Sequence, residues 1–180
     1  MAKKILLFLV VIMLYSCSAF AATREVGVVL FGSSDYKDDH FMSVLSDVMV
    51  DDTEKIFKIH VGNDEQSRYQ DYWFSKEVLD IPAPTPQSMK DYVAYSGYDE
   101  VLFLVVKDPV TDVRKYGLFG TKEEKRVSVE ISGYLVSKDS LVGSSTAASE
   151  DNSRFSDLRA RRGAFKKSVK YIYDSMKNKF

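Results

Sequence analysis

Cysteine is almost absent from this 180-residue chain: the single one, Cys17, lies in the first 21 residues. A chain cut after that segment has no thiol, so it has no disulfide, no Cys-ligated metal and no cysteine nucleophile. Histidine is nearly as scarce, with only His40 and His60, and neither sits in a nucleophile or metal motif. The nine glycines never form the G-x-x-x-x-G-K-[ST] spacing that cradles phosphates, nor the G-x-S-x-G elbow that projects a serine above a sheet. There is no internal repeat and no low-complexity block.

What is present begins with an address. Lys3 and Lys4 precede the apolar run "ILLFLVVIMLY", and small residues follow in "SCSAFAA". The run is too short to span a membrane and has the layout of a secretory signal, which assigns residues 1–21 to a signal peptide and export to the periplasm or beyond. The simplest cut falls between Ala21 and Ala22. A rival exists in "LYSC", which resembles the bacterial lipobox with Tyr15 as a departure; there Cys17 would be acylated and would anchor the chain to a membrane. Without disulfides, residues 22–180 must fold on their apolar core, and their length suits one domain.

Charge is near zero overall but unevenly placed. Residues 153–180 hold nine Lys/Arg against Asp157 and Asp174, a net +7. Residues 22–152 hold fourteen basic and twenty-four acidic side chains, a net −10. An exported chain of slightly negative total charge does not suit nucleic acid. A basic terminal segment on an acidic body is its clearest electrostatic feature.

The order of elements follows from periodicity. "EVGVVLF" is β-branched and apolar, as in a strand covered on both faces. After "GSSDY", Asp38 or Asp39 can cap a helix that buries Phe41, Val44, Leu45, Val48 and Met49, and "DDTEK" ends it. "KIFKIHVG" alternates as a strand, with Phe57, Ile59 and Val61 on one face and Ile56, Lys58 and His60 on the other. "NDEQSRYQDYWFSKEVL" reads as a helix with Tyr69, Tyr72, Trp73 and Lys76 to one side. "IPAPTPQ" is a rigid connector in which Thr85 caps the next helix and Pro86 takes its first position; Gly97 then stops it. "DEVLFLVV" is a second deeply apolar strand. Beyond Pro109 the strands "VRKYGLFG", "KRVSVEISGYLVS" and "SLVGSSTAAS" form a meander turned by "GTKEEK" and "SKDS". A helix over Phe155 to Met176 closes the chain, with Leu158, Phe165, Val169, Ile172 and Met176 on its apolar stripe. The fold class is α/β with α+β character: a mixed sheet, β-α-β-α-α-β, then an antiparallel meander and a C-terminal helix packed on the sheet.

The segment "QSMKDYVAYSGYDEVLFLVV", with Gly97 and Asp99 forming a G-x-D turn before the strand from Val101, resembles CsgG-like and penicillin-binding-protein-activator-like envelope domains. The later long strands and terminal helix are also similar to that group and to the N-terminal domain of TolB. The resemblance implies a non-enzymatic module that binds partners or assembles in the bacterial envelope, with homo-oligomers among the outcomes. No membrane-spanning hairpin pattern interrupts the chain, unlike the curli channel type.

Two groups of residues are candidates for function. The first is the loop after the first strand, where Ser33, Ser34, Asp35, Asp39 and His40 would serve a hydrolase or a metal-dependent enzyme. Adjacent helical positions point apart, so Asp38, Asp39 and His40 do not converge as ligands on a regular helix, and the loop reads first as a turn. The second is the basic face of the last helix, Arg159, Arg162, Lys166 and Lys170, flanked by Arg161 and Lys167, suited to an anionic surface or an acidic envelope protein. The aromatic run "RYQDYWF" reads as packing rather than as a ligand platform. The expectation is therefore an exported binding or assembly module with no catalytic residue, metal or cofactor, with the small enzyme as the alternative.

Overall fold

The apolar runs become the middle of one sheet. The structure is a computed structural model and describes residues 23–50, 57–118 and 122–180, with Ser34 by its backbone alone. The expected leader with Cys17, "DDTEK" and the first two residues of "GTKEEK" (Gly120 and Thr121) fall outside those residues. β1 (Arg24–Phe31), α1 (Asp39–Val50), β2 (Phe57–His60), α2 (Asn63–Phe74), α3 (Pro86–Ser96) and β3 (Glu100–Val106) come first; β4 (Val110–Tyr116), β5 (Lys122–Ser137), β6 (Leu141–Ser153) and α4 (Asp157–Met176) follow. This is the expected order. No helix among the described residues is long and apolar enough to cross a membrane.

β1 lies between β2 and β3, parallel to both, and β3 runs antiparallel to β5. β5 is long enough to serve three partners. Its residues 131–137 pair with β3, 122–128 with β4 and 125–136 with β6. A strand has only two hydrogen-bonding edges, so β3 and β4 share one edge of β5 and β6 takes the other. They act as one strand interrupted at Pro109, where Lys107 N donates to Glu130 O at 3.0 Å.

Alternation along the strands divides the core in two. On one face Val28, Leu30, Leu102, Leu104, Val129 and Ile131 meet Phe41, Leu45 and Met49 of α1 and Phe165, Val169 and Ile172 of α4. Tyr36, in a short 3-10 turn, stacks with Phe165 at 5.6 Å and meets the edge of Phe41 at 5.0 Å. On the other face Val29, Val101, Phe103 and Val136 meet Tyr69, Tyr72 and Trp73 of α2 and Met89, Tyr92 and Val93 of α3. The aromatic run thus packs its helix onto the sheet. Gly133 admits α4 to the sheet, since a Cβ there would lie 2.5 Å from Ile172 Cγ2.

Local signals fix the helix ends. Asp38 Oδ1 accepts from Phe41 N at 2.9 Å, which selects Asp38 as the cap of α1. Thr85 and Ser88 form a reciprocal capping box on α3, with Pro86 next to the cap and Gly97 left-handed (φ 78°) at the stop. Asp99 has a clear structural task in the G-x-D turn: its carboxylate accepts from Glu25 N at 2.9 Å and its N–H donates to Glu25 O at 3.1 Å, pinning the start of β1.

Three expectations are corrected. β4 begins at Val110, three residues before "VRKYGLFG", and stops at Tyr116, because Gly117 turns at φ 88°. Residues Lys122–Lys125, read as a turn, belong to β5, where Lys122, Glu123, Glu124 and Lys125 pair with Tyr116, Lys115, Arg114 and Val113 of β4. The last helix starts at Asp157, because Ser156 caps it by accepting from Arg159 N at 3.2 Å; Phe155 stays outside and is 84% exposed. Leu158 is correspondingly 43% exposed and off the buried stripe, which Ala160, Ala164 and Ser168 join instead.

Candidate functional site

α1 and α4 pack side by side on one face of the sheet, and an open groove of about 770 Å3 runs between their exposed flanks. His40, Val44 and Asp47 line it from α1; Leu158, Arg159, Arg162 and Lys166 line it from α4. The three cations recur at the three-and-four spacing that sets them along one flank of the helix.

The six Lys and Arg of α4 divide into two groups. Arg161 is held at 2.9 Å by Asp35 and at 3.7 Å by Asp157, with its side chain 16% exposed. Lys167 reaches Asp151 at 2.8 Å and donates to Glu150 O at 3.0 Å; Lys170 pairs with Asp174 at 3.5 Å. Arg159, Arg162 and Lys166 have no carboxylate within salt-bridge range among the described residues, and Arg159 instead lies 5.6 Å over the ring of Phe155. The paired cations tie α4 to the turn after β1, to β6 and to its own last turn. The unpaired ones all border the groove. Of the four residues expected to form the basic face, Lys170 leaves the group.

The residues of the loop after β1 are sent in different directions. Asp35 takes Arg161, Asp39 Oδ1 accepts from Asn63 Nδ2 at 3.0 Å, and His40 lines the groove. Ser33 Oγ accepts from Asp35 N at 3.4 Å, and Ser33 O accepts from Tyr36 N at 3.1 Å, which closes the turn. No three His, Cys, Asp or Glu among the described residues form a group that could hold a metal. The concavity that reaches the C-terminal part of β3 is apolar, about 260 Å3, lined by Ala83, Pro84, Met89, Val105, Tyr134 and Leu141.

A second polar assembly, missed in the sequence, lies across the sheet. Glu65 of α2 is 4% exposed. Its Oε1 accepts from Tyr92 OH at 2.6 Å and its Oε2 from Tyr98 OH at 2.7 Å. Arg68 donates to Tyr98 OH at 2.7 Å, and the His60 ring stacks on Tyr98 at 4.7 Å. His60 Nε2 lies 3.3 Å from Glu25 Oε2 without the alignment of a hydrogen bond. Burial, and then the bond to the Glu65 carboxylate, hold both tyrosine hydroxyls well above their ordinary pKa, so they remain donors. A polar pocket of about 340 Å3 borders this assembly. Each Glu65 oxygen already has a tyrosine donor, so the network joins α2 to α3 and to the turn before β3. The overlooked signal was a glutamate at position 65 on the stripe of Tyr69, Tyr72 and Trp73, where an acid needs partners.

No protein-family model and no curated protein matches the chain in sequence. Among solved structures it is similar to the lipoprotein GNA1162 from Neisseria meningitidis, with TM-score 0.48, 15% identity, and coverage of 86% of this chain and 99% of that one. It is also similar to the PelC dodecamer from Paraburkholderia phytofirmans, at TM-score 0.44 and 11% identity over 84% of this chain and 85% of the other. A putative neuraminyllactose-binding hemagglutinin homolog from Helicobacter pylori gives TM-score 0.43 and 12% identity, covering 88% and 82%.

Proposed function

We propose that this chain is an exported bacterial envelope module that works by binding, and that the α1–α4 groove is its contact surface for an anionic partner. One observation carries the reading: the cations of α4 without carboxylate partners among the described residues are those that border the groove. An ion-paired surface lysine is electrostatically spent, whereas three unpaired cations along one flank project a field outward. The leader, the absence of thiols after residue 21 and the resemblance to CsgG-like and penicillin-binding-protein-activator-like domains agree with an accessory or assembly role. The dispersal of Asp35, Asp39 and His40 favours binding over the alternative of a small enzyme at that loop.

The test is capture from native envelope fractions by the exported chain and by an Arg162→Glu, Lys166→Glu variant. Loss of the retained component in the variant is the expected result. Equal capture by both contradicts the reading.

A further inference from the structure

Two exposed apolar side chains lie at the α4 end of the groove, Leu158 in its wall and Phe155 just before Ser156, which also lines it. Phe155, in the turn between β6 and α4, is 84% exposed, and Leu158 is 43% exposed. Phe155 is not on a slack loop. Ser153 Oγ accepts from Phe155 N at 3.1 Å and from Ser156 N at 3.2 Å, and Ser156 then caps α4, so the turn is fixed by three side-chain bonds. Arg159 covers one side of the Phe155 ring. From Arg159 to Lys166 the helix rises about 10 Å, roughly one screening length at moderate salt, so the three free cations act on a flat anionic surface together.

We propose that this end of the molecule docks onto an anionic phospholipid surface, with Arg159, Arg162 and Lys166 at the depth of the phosphates and Phe155 and Leu158 inserted below them. The inference rests on the groove being the contact surface and names what it contacts. Charge complementarity selects an anionic layer, and the shape of the apolar part selects lipid. The apolar groups project outward beside long cationic side chains whose stems can lie along such a layer. Phe and Leu beside Lys and Arg are the composition of helices that lie in a membrane–water interface.

The test is co-sedimentation of the chain from residue 22 onward, so that the apolar leader does not itself partition, with two kinds of vesicle: phosphatidylglycerol–phosphatidylethanolamine and phosphatidylcholine. Binding is expected to the first and not the second, and to fall as salt is raised. Arg159→Gln, Arg162→Gln and Lys166→Gln should each lower partitioning about fivefold, and together about a hundredfold. Phe155→Ser should lower it about tenfold with circular dichroism unchanged. No vesicle binding by a chain whose groove cations still retain polyglutamate overturns the lipid proposal and leaves the anionic-partner reading standing. Vesicle binding that survives the triple substitution also overturns the lipid proposal, because the membrane is then met by another surface.

Discussion

The two faces of the sheet use charge in opposite ways. Beneath α2 and α3 a carboxylate is drawn inside, and Tyr92, Tyr98 and Arg68 are committed to it directly or through one hydroxyl. Beneath α1 and α4 the interior is largely apolar, with the Ser168 hydroxyl donating to Val129 O at 2.9 Å and Glu100 buried at the start of β3, and the groove cations of α4 are left on the rim. A buried carboxylate with all its donors holds helices in register. A rim cation with no partner contributes little to stability and is available to something else. The contrast separates residues that build the fold from residues that can serve a partner.

The comparison can be broken hardest in the core of the α1–α4 face. Phe165→Ala removes the ring between Tyr36 and Phe41 and should cost about 3–5 kcal/mol in denaturant unfolding. Glu65→Ala should cost about 2–4 kcal/mol by stranding two tyrosine hydroxyls, and Glu65→Gln clearly less because an amide oxygen still accepts. Both Glu65 variants should bind an anionic probe as the parent does, which a ligand role for the Glu65 assembly would not allow.

Glu100 sharpens the point about buried charge. Burial pushes its carboxyl pKa up, against a smaller lowering by Arg24 at 3.8 Å, and one oxygen has no hydrogen-bond partner among the described residues. A carboxyl raised in the folded state stabilises below its unfolded pKa, and that contribution is lost as pH rises through the folded one. Glu100→Gln should therefore be more stable than the parent at neutral pH, with the advantage vanishing below about pH 4. Thermal unfolding followed across pH checks the sign. Smallest of all, Arg162→Gln and Lys166→Gln should each shift stability by less than about 0.5 kcal/mol, while altering retention on an anionic matrix.

Most of the fold was legible because its signals are local. The strands Arg24–Phe31 and Glu100–Val106 are uninterrupted apolar runs, and Asp38, Thr85, Pro86 and Gly97 mark helix ends with side-chain chemistry. The start of β5 was not legible. Lys122–Lys125 is highly charged, and its place in the sheet depends on pairing with Arg114 and Lys115, which no local pattern encodes. The same limit applied to the site. The spacing of Arg159, Arg162, Lys166 and Lys170 put cations on one helix, but only the fold tells which are neutralised, since Asp35 lies 126 residues from Arg161. Glu65, Tyr92 and Tyr98 come from α2, α3 and the turn before β3, and they meet only once both helices lie on the sheet.

The most direct measurement compares two variants of equal net charge on a cation-exchange matrix at neutral pH: Arg162→Gln with Lys166→Gln, and Lys167→Gln with Lys170→Gln. If the unpaired cations of the groove form the contact surface, the first pair elutes at distinctly lower salt than the second, which stays near the parent chain. Elution of the two variants at the same salt would show that net charge alone governs retention and would contradict the account.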